Sequence, residues 1–326
     1  MKKILLTGAT GFVGSHVARL LREAGHDVMA IVRTSSQDNY LRYLGIKLLY
    51  GSLEDPLFNK ISQQIPDVDA VIHIAGIIKA RKLSDFEKIN TLGTANIYAL
   101  AKKINVPRFV FVSSIAARGP NLAGFSEAEL TPVSVYGKSK RAAENLLLQE
   151  KKGPKLVIMR PPVVYGPGDR ETLMLFRYFE KGIFPMVGNG AKRISFVYVE
   201  DLAKILVQAS LNPQVGSGPY YPEDGSCGYS WHQVHQVAEK IYQKKIRKIK
   251  IPLTVAKVAV SFSELYSKLK KKAPMLSRDK YAEMKQDSWT CSVAPCLKEL
   301  SYSEPLISLQ EGLDRARQWY LEKGWL

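Results

Sequence analysis

Cysteine is scarce in this chain, and the scarcity excludes a class of folds. The 326 residues include three cysteines, Cys227, Cys291 and Cys296, too few and odd in number for a disulfide framework. Cys291 and Cys296 have neither a second cysteine pair nor nearby histidines, so no metal site is expected. A reducing compartment, the cytoplasm, is the expected location. Long apolar runs are missing as well. No window of about eighteen apolar residues exists, so no membrane-spanning helix is expected. The opening "MKKILLTGATG" has the lysines of a signal peptide, but its run Ile4–Leu6 is too short and breaks at once into glycines, which makes it a first strand. Internal repeats and low-complexity linkers are absent too. The hydrophobic content of 46% and charged content of 24% are those of a folded chain, not a disordered or fibrous one.

What remains is an alternating pattern. Apolar runs recur in "KKILLTG", "DVMAIVR", "IKLLYGSL", "DAVIHIAG", "RFVFVSS" and "KLVIMRPP", separated by helical stretches such as Phe86–Ile104 and Lys140–Lys151. Strands alternating with helices at this spacing predict βαβ units and a parallel sheet. Strands without polar alternation predict a sheet covered on both faces. The expected fold is therefore α/β, a Rossmann-type doubly wound sheet. Its dinucleotide-binding domain spans 1–160, and a looser region over 161–326, rich in proline and glycine, mainly shapes the substrate site while returning some segments to the core.

The first strand runs into "TGATGFVG", which sets Gly8, Gly11 and Gly14 at a strand-to-helix turn. Glycines there let the backbone approach a pyrophosphate, and the helix N-terminus offers it free N–H groups and a positive dipole. The spacing is G-x-x-G-x-x-G rather than the general G-x-G-x-x-G. The second strand ends at Arg33, where an acidic residue would grip an NAD ribose; an arginine pairs instead with a 2′-phosphate. NADP is the expected cofactor, with NAD the alternative.

Two further features suggest chemistry. Tyr136 and Lys140 stand four apart, on one face of a helix. A tyrosine titrates near 10, so exchanging a proton at neutral pH calls for a shift of about three units, ~4 kcal/mol. A neighbouring ammonium works in that direction. "FVFVSSIAARG" is a buried strand ending in Ser113 and Ser114, at the carboxyl end where parallel sheets bind ligands.

Together these motifs resemble the extended short-chain dehydrogenases/reductases, the NAD-dependent epimerase/dehydratase group. The resemblance covers essentially the whole chain, through "TGATGFVG" (7–14), "VIHIAG" (71–76), "NTLGT" (90–94), "VSSIAARG" (112–119), "YGKSK" (136–140), "RPPVVYGPGD" (160–169) and "FVYVEDLA" (196–203). It implies that Ser114 hydrogen-bonds the substrate oxygen, that Tyr136 is the general acid/base, and that Lys140 binds the nicotinamide ribose and tunes the tyrosine. Gly8, Thr10, Gly11, Phe12 and Val13 match the pyrophosphate loop. Ile74, Ala75, Gly76 and Asn90 match cofactor-lining segments, and Pro162 and Val163 match the loop beside the nicotinamide. A homodimer through sheet-flanking helices is the family expectation. The chain also departs from the family's pattern. Ser52, before Leu53, replaces the aspartate that many members set against the adenine. Ile115 and Ala116 follow Ser114 where the sugar dehydratases have Asp-Glu. Val163 and Ile194 stand where many nucleotide-sugar enzymes have an asparagine and an arginine, with Arg193 one position away as a substitute.

The expected activity is hydride transfer between NAD(P) and a secondary alcohol or ketone carbon, with a nucleotide sugar or a hydrophobic alcohol or ketone as substrate. The alternatives are a nucleotide-sugar epimerase and a non-catalytic cofactor-binding sensor or scaffold. One feature lies outside that scheme. The net charge is +17, and Ala238–Lys285 alone carries fourteen basic residues against four acidic ones. Within it, in residues 244–273, Val255, Val258, Phe262, Leu265, Tyr266 and Leu269 recur at helical spacing between lysine clusters. The plain expectation is a helix packing on the substrate region with a solvated charged edge; the sharper one is contact with an anionic membrane. No recognition motif accompanies the charge, so nucleic acid is not an expected partner. His232 and His235, and the tryptophans Trp319 and Trp325, are expected to be structural.

Overall fold

The computed structural model describes residues 1–54, 61–121, 131–188, 190, 192–270, 273–274 and 276–326. Six parallel strands build the central sheet: β1 (Lys3–Thr7), β2 (Asp27–Val32), β3 (Lys47–Tyr50), β4 (Ala70–His73), β5 (Arg108–Val112) and β6 (Lys155–Met159). Their spatial order is β3-β2-β1-β4-β5-β6. The chain therefore reverses its winding between β1 and β4, and a crevice opens at the carboxyl ends of those two strands.

The unbroken apolar strands follow from the two covered faces. Ile4, Leu6, Ala30, Ile72, Val110 and Val157 point into one core, shared with the helices Phe12–Glu23 and Val199–Leu211. Their neighbours Leu5, Met29, Val71, Phe109 and Ile158 point into the other, shared with Gly93–Lys103 and Val135–Leu148. Each side chain alternates faces with a period of two, and each face needs an apolar residue.

Two helices differ from the periodicity. The stretch expected as one helix from Phe86 divides into Leu83–Phe86, a π-helical segment Glu87–Leu92, and Gly93–Lys103. The wider π turn coincides with Asn90, whose amide is buried between Ile77 and Ser139. The next helix begins at Val135, five residues before the expected Lys140. Ser134 caps it, its Oγ accepting from the Gly137 N–H at 2.9 Å. Tyr136 consequently lies in the first turn.

A third, aromatic-rich core gathers Tyr165, Phe176, Phe179, Phe184 and Tyr320 below small sheets formed after residue 160. Trp319 and Trp325 stack edge-on at 5.1 Å and close the last helix, Leu309–Glu322, over it. His235 is buried there, its Nε2 2.7 Å from the Ile246 carbonyl oxygen. Among the described residues no helix is long and apolar enough to cross a membrane.

Candidate active site

At the end of β1 the chain turns through Gly8, held at φ +75°. A Cβ there would come within 2.6 Å of the Ala75 nitrogen, and one at Gly14 within 2.0 Å of the Gly8 oxygen. Only glycines permit this turn to nest against the segment after β4. The helix Phe12–Glu23 starts at Gly11 with no side chain capping it and no acid in its first turn, so its N–H groups stay open to an anion. Thr10 and Gly11 are exposed at this mouth, while Phe12 and Val13 are half-buried. Ile74 and Ala75 lie alongside, the Ala75 N–H donating to Thr7 Oγ1 at 3.3 Å.

Arg33 is exposed just past β2. Ser52 closes its own turn, its Oγ accepting from the Glu54 N–H at 3.2 Å, and Leu53 packs against the second core. A side chain at Gly76 would meet both Lys140 Nζ and Asn90 Oδ1 at 3.1 Å, so the glycine keeps open a space bordered by those polar groups. A nicotinamide dinucleotide fits these residues: an uncapped helix start, a glycine-lined turn and a polar recess at the switch point. Pro162, buried, and Val163, partly exposed, follow β6. Arg193 is committed elsewhere, its Nη2 donating to the Gly228 carbonyl at 2.7 Å.

Ser114 stands at the carboxyl end of β5 and caps the short helix Ile115–Arg118, its Oγ accepting from the Ala116 N–H at 3.1 Å. The same hydroxyl lies near enough to the Tyr136 phenol to influence its proton affinity. The first-turn position of Tyr136 thus brings it to the strand end, with its ring 6.2 Å from that of Phe86. Lys140 is buried one turn further along. Its Nζ donates to the Val112 carbonyl at 2.9 Å and sits 5.0 Å over the Phe111 ring. Ser114, Tyr136 and Lys140, separate in sequence, thus converge on the end of β5.

The electrostatics differ from the sequence expectation. Burial pushes the Tyr136 phenol up to about 12; the nearby Ser114 hydroxyl draws it down and the Glu283 carboxylate raises it again. The expected lowering by an adjacent ammonium is not what the protein alone provides, because desolvation of the phenolate dominates. Lys140 is itself lowered to about 8 by burial, with the Glu144 carboxylate opposing. At neutral pH the site holds a protonated phenol beside a protonated amine. Beneath them His73 bridges Thr7 Oγ1 (2.6 Å) and Thr94 Oγ1 (2.9 Å), held neutral by burial and by Lys140 with a pKa of about 3.

Sequence reasoning missed two carboxylates. Asp279, on the helix Arg278–Met284, accepts from the backbone N–H groups of Val135 and of Tyr136, the latter at 3.2 Å. Glu283, one turn on, accepts from Ser134 Oγ at 2.7 Å. Together they seat the first turn of the tyrosine's helix, where negative charge is favourable. The only local signal was the shared helix face that a spacing of four gives them.

Residues 4–221 match the model of the NAD dependent epimerase/dehydratase family. The chain belongs to that family. Its fold, glycine turn and cofactor class are those of NAD(P)-dependent enzymes, and it is one. Among curated relatives, it is 31% identical over 323 residues to a ceramide reductase of Caulobacter vibrioides, covering 99% of this chain and 96% of that one. It is 26% identical over 330 residues to a 2-alkyl-3-oxoalkanoate reductase of Stenotrophomonas maltophilia, covering 97% and 98%. Among solved structures, a UDP-glucose 4-epimerase of Thermotoga maritima superposes with a TM-score of 0.78 at 22% identity, covering 98% and 99%. That likeness speaks to the fold.

Proposed function

We propose that this enzyme interconverts a ketone and a secondary alcohol on a hydrophobic substrate, with NADP(H) as cofactor. The observation that carries this is the convergence of Ser114, Tyr136 and Lys140 on the end of β5, with the Lys140 Nζ held by the Val112 carbonyl at 2.9 Å. A bound nicotinamide dinucleotide supplies or accepts the hydride. Ser114 Oγ donates a hydrogen bond to the substrate oxygen and orients it. Tyr136 gives its phenolic proton to that oxygen in reduction and takes it back in oxidation. Lys140 holds a positive charge in the recess beside Gly76 and Asn90, where it steadies the ribose and the phenolate as charge develops. Two features favour a hydrophobic substrate over a nucleotide sugar. Val163 and Ile194 offer no donors for a diphosphate, and Arg193 is engaged by Gly228. The curated relatives named above include reductases whose names specify a ceramide and an alkyl oxoalkanoate.

The test is stoichiometry. Purified enzyme offered NADPH and a panel of long-chain ketones should oxidise one NADPH per ketone reduced. Product epimerisation without net loss of NADPH would establish an epimerase instead, and no turnover of either kind would leave a cofactor-binding protein.

The choice of NADP rests on Arg33. Arg33→Ala should weaken NADPH binding by about tenfold or more, the worth of a charged hydrogen bond, and leave NADH within about twofold. Fluorescence titration of both cofactors measures this. Equal losses for both would remove Arg33 from 2′-phosphate recognition.

A further inference from the structure

The helix Leu253–Lys270 is inside out relative to an ordinary surface helix. Ala256, Val260 and Ser267 face the protein and are buried. Six apolar residues face solvent: Val255, Val258, Phe262, Leu265, Tyr266 and Leu269 are all exposed, Phe262 at 69% and Leu269 at 75%. At about 100° per residue these six fall within one arc of roughly 100°. The plain expectation that this stripe packs on the substrate region is therefore overturned. The buried contact uses Ala256, Val260 and Ser267, and the apolar stripe is left outward. A contiguous apolar face of this kind marks an interaction surface.

Its surroundings identify the partner. The strand Arg247–Ile251 leading into the helix exposes Arg247, Lys248, Ile249 and Lys250; Lys257 and Lys270 are exposed on the helix itself. Residues 271 and 272 lie outside the described residues. An isologous contact with a second copy would set these like charges against each other. An aqueous anionic partner would leave the apolar stripe uncovered. A surface that is apolar in its centre and cationic around it matches an anionic lipid bilayer, where the stripe enters the acyl boundary and the lysines meet the headgroups. We propose that this helix docks the enzyme on anionic membrane.

The fold ties this surface to the chemistry. The Leu276 N–H donates to Ser263 Oγ at 3.1 Å, and Arg278 Nε pairs with the Glu264 carboxylate at 3.2 Å. Tyr281 OH donates to the Leu253 carbonyl at 3.3 Å. The same helix, Arg278–Met284, supplies the Asp279 that holds the first turn of the Tyr136 helix. One helix thus separates the docking face from the tyrosine, and an amphiphile resting in the bilayer would lie beside the site. The docking surface stands on its own observations, whatever the reaction proves to be.

Flotation with extruded vesicles tests it, using phosphatidylcholine alone and a mixture with about one-third phosphatidylglycerol. Wild-type protein should float with the anionic vesicles at ~20 mM salt and bind at least about tenfold less to neutral vesicles or at ~500 mM salt. Phe262→Ser/Leu269→Ser, and separately Lys250→Glu/Lys270→Glu, should each lower binding by about tenfold, with NADPH affinity and the thermal transition unchanged. If the apolar variant fails to fold, the charge variant decides. Absence of flotation with anionic vesicles, or flotation unaltered in a folded variant, overturns the proposal. So does a wild-type dimer that ignores vesicles and that the apolar variant dissociates.

Discussion

Tyr136→Phe will lower kcat by about 10³-fold, near 4 kcal/mol of barrier, while NADPH affinity stays within about twofold. The substitution removes one oxygen and leaves the ring, so the contact with Phe86 at 6.2 Å persists. Ser114 still accepts from the Ala116 N–H at 3.1 Å, so the fold loses no more than ~1.5 kcal/mol. What disappears is the proton. With the phenol pushed up to about 12, Tyr136 is fully loaded at neutral pH, which suits donation to a carbonyl oxygen. The reverse direction requires the phenolate, which burial disfavours until further positive charge enters the site. Steady-state kinetics with a fluorescence titration of NADPH separates the two quantities. Retention of more than about one-tenth of kcat would remove Tyr136 from proton transfer.

Much of this architecture was legible in the sequence because a doubly wound sheet imposes strong local demands. A strand buried on both faces is apolar through its middle, so β1, β2, β4, β5 and β6 announce themselves, the buried polar Thr7, His73 and Arg108 standing at strand ends. The turn after β1 requires glycine at Gly8 and Gly14 for steric reasons that no other residue satisfies. Tyr136, Lys140 and Ser114 were legible as residue types at strand and helix ends. Three things were not. The start of the Tyr136 helix depends on Ser134 and on Asp279, which is 143 positions away from Tyr136, so periodicity alone placed it late. The proton affinity of Tyr136 depends on burial, which spacing does not report. The orientation of Leu253–Lys270 depended on whether the face of Ala256, Val260 and Ser267 or that of Phe262 and Leu269 met the protein, and both faces have helical period. Periodicity identifies a stripe; the tertiary contacts decide which stripe turns inward.

The second large effect is expected at Glu144, a residue with no evident motif. Its side chain is fully buried and accepts from Ser113 Oγ at 2.5 Å, Arg160 Nε at 2.9 Å and Arg160 Nη2 at 2.7 Å. Arg160 is buried too and also donates to Tyr221 OH at 2.6 Å. Glu144→Gln removes the charge from a carboxylate that holds this guanidinium through two hydrogen bonds, a loss of about 3 kcal/mol out of a typical total of 5–15. Denaturant unfolding at neutral pH measures it. Glu144→Leu/Arg160→Met, which removes both charges, should recover part of the loss, because a buried pair gains little over apolar packing while Ser113, Arg141 and Tyr221 still lose partners. The same carboxylate acts on catalysis through Lys140. Burial lowers Lys140 to about 8 and Glu144 opposes that shift, so removing its charge lowers Lys140 further. Lys140 is charged below its pKa and neutral above it; Tyr136, at about 12, does not titrate in this window. The wild-type profile of kcat/KM for reduction should therefore fall as pH rises through about 8, and in Glu144→Gln that fall should begin at lower pH. The double variant should regain stability without regaining the wild-type limb, since the negative charge facing Lys140 is still missing. A limb that stays in place while stability drops would confine Glu144 to holding the fold and leave the Lys140 charge to other groups.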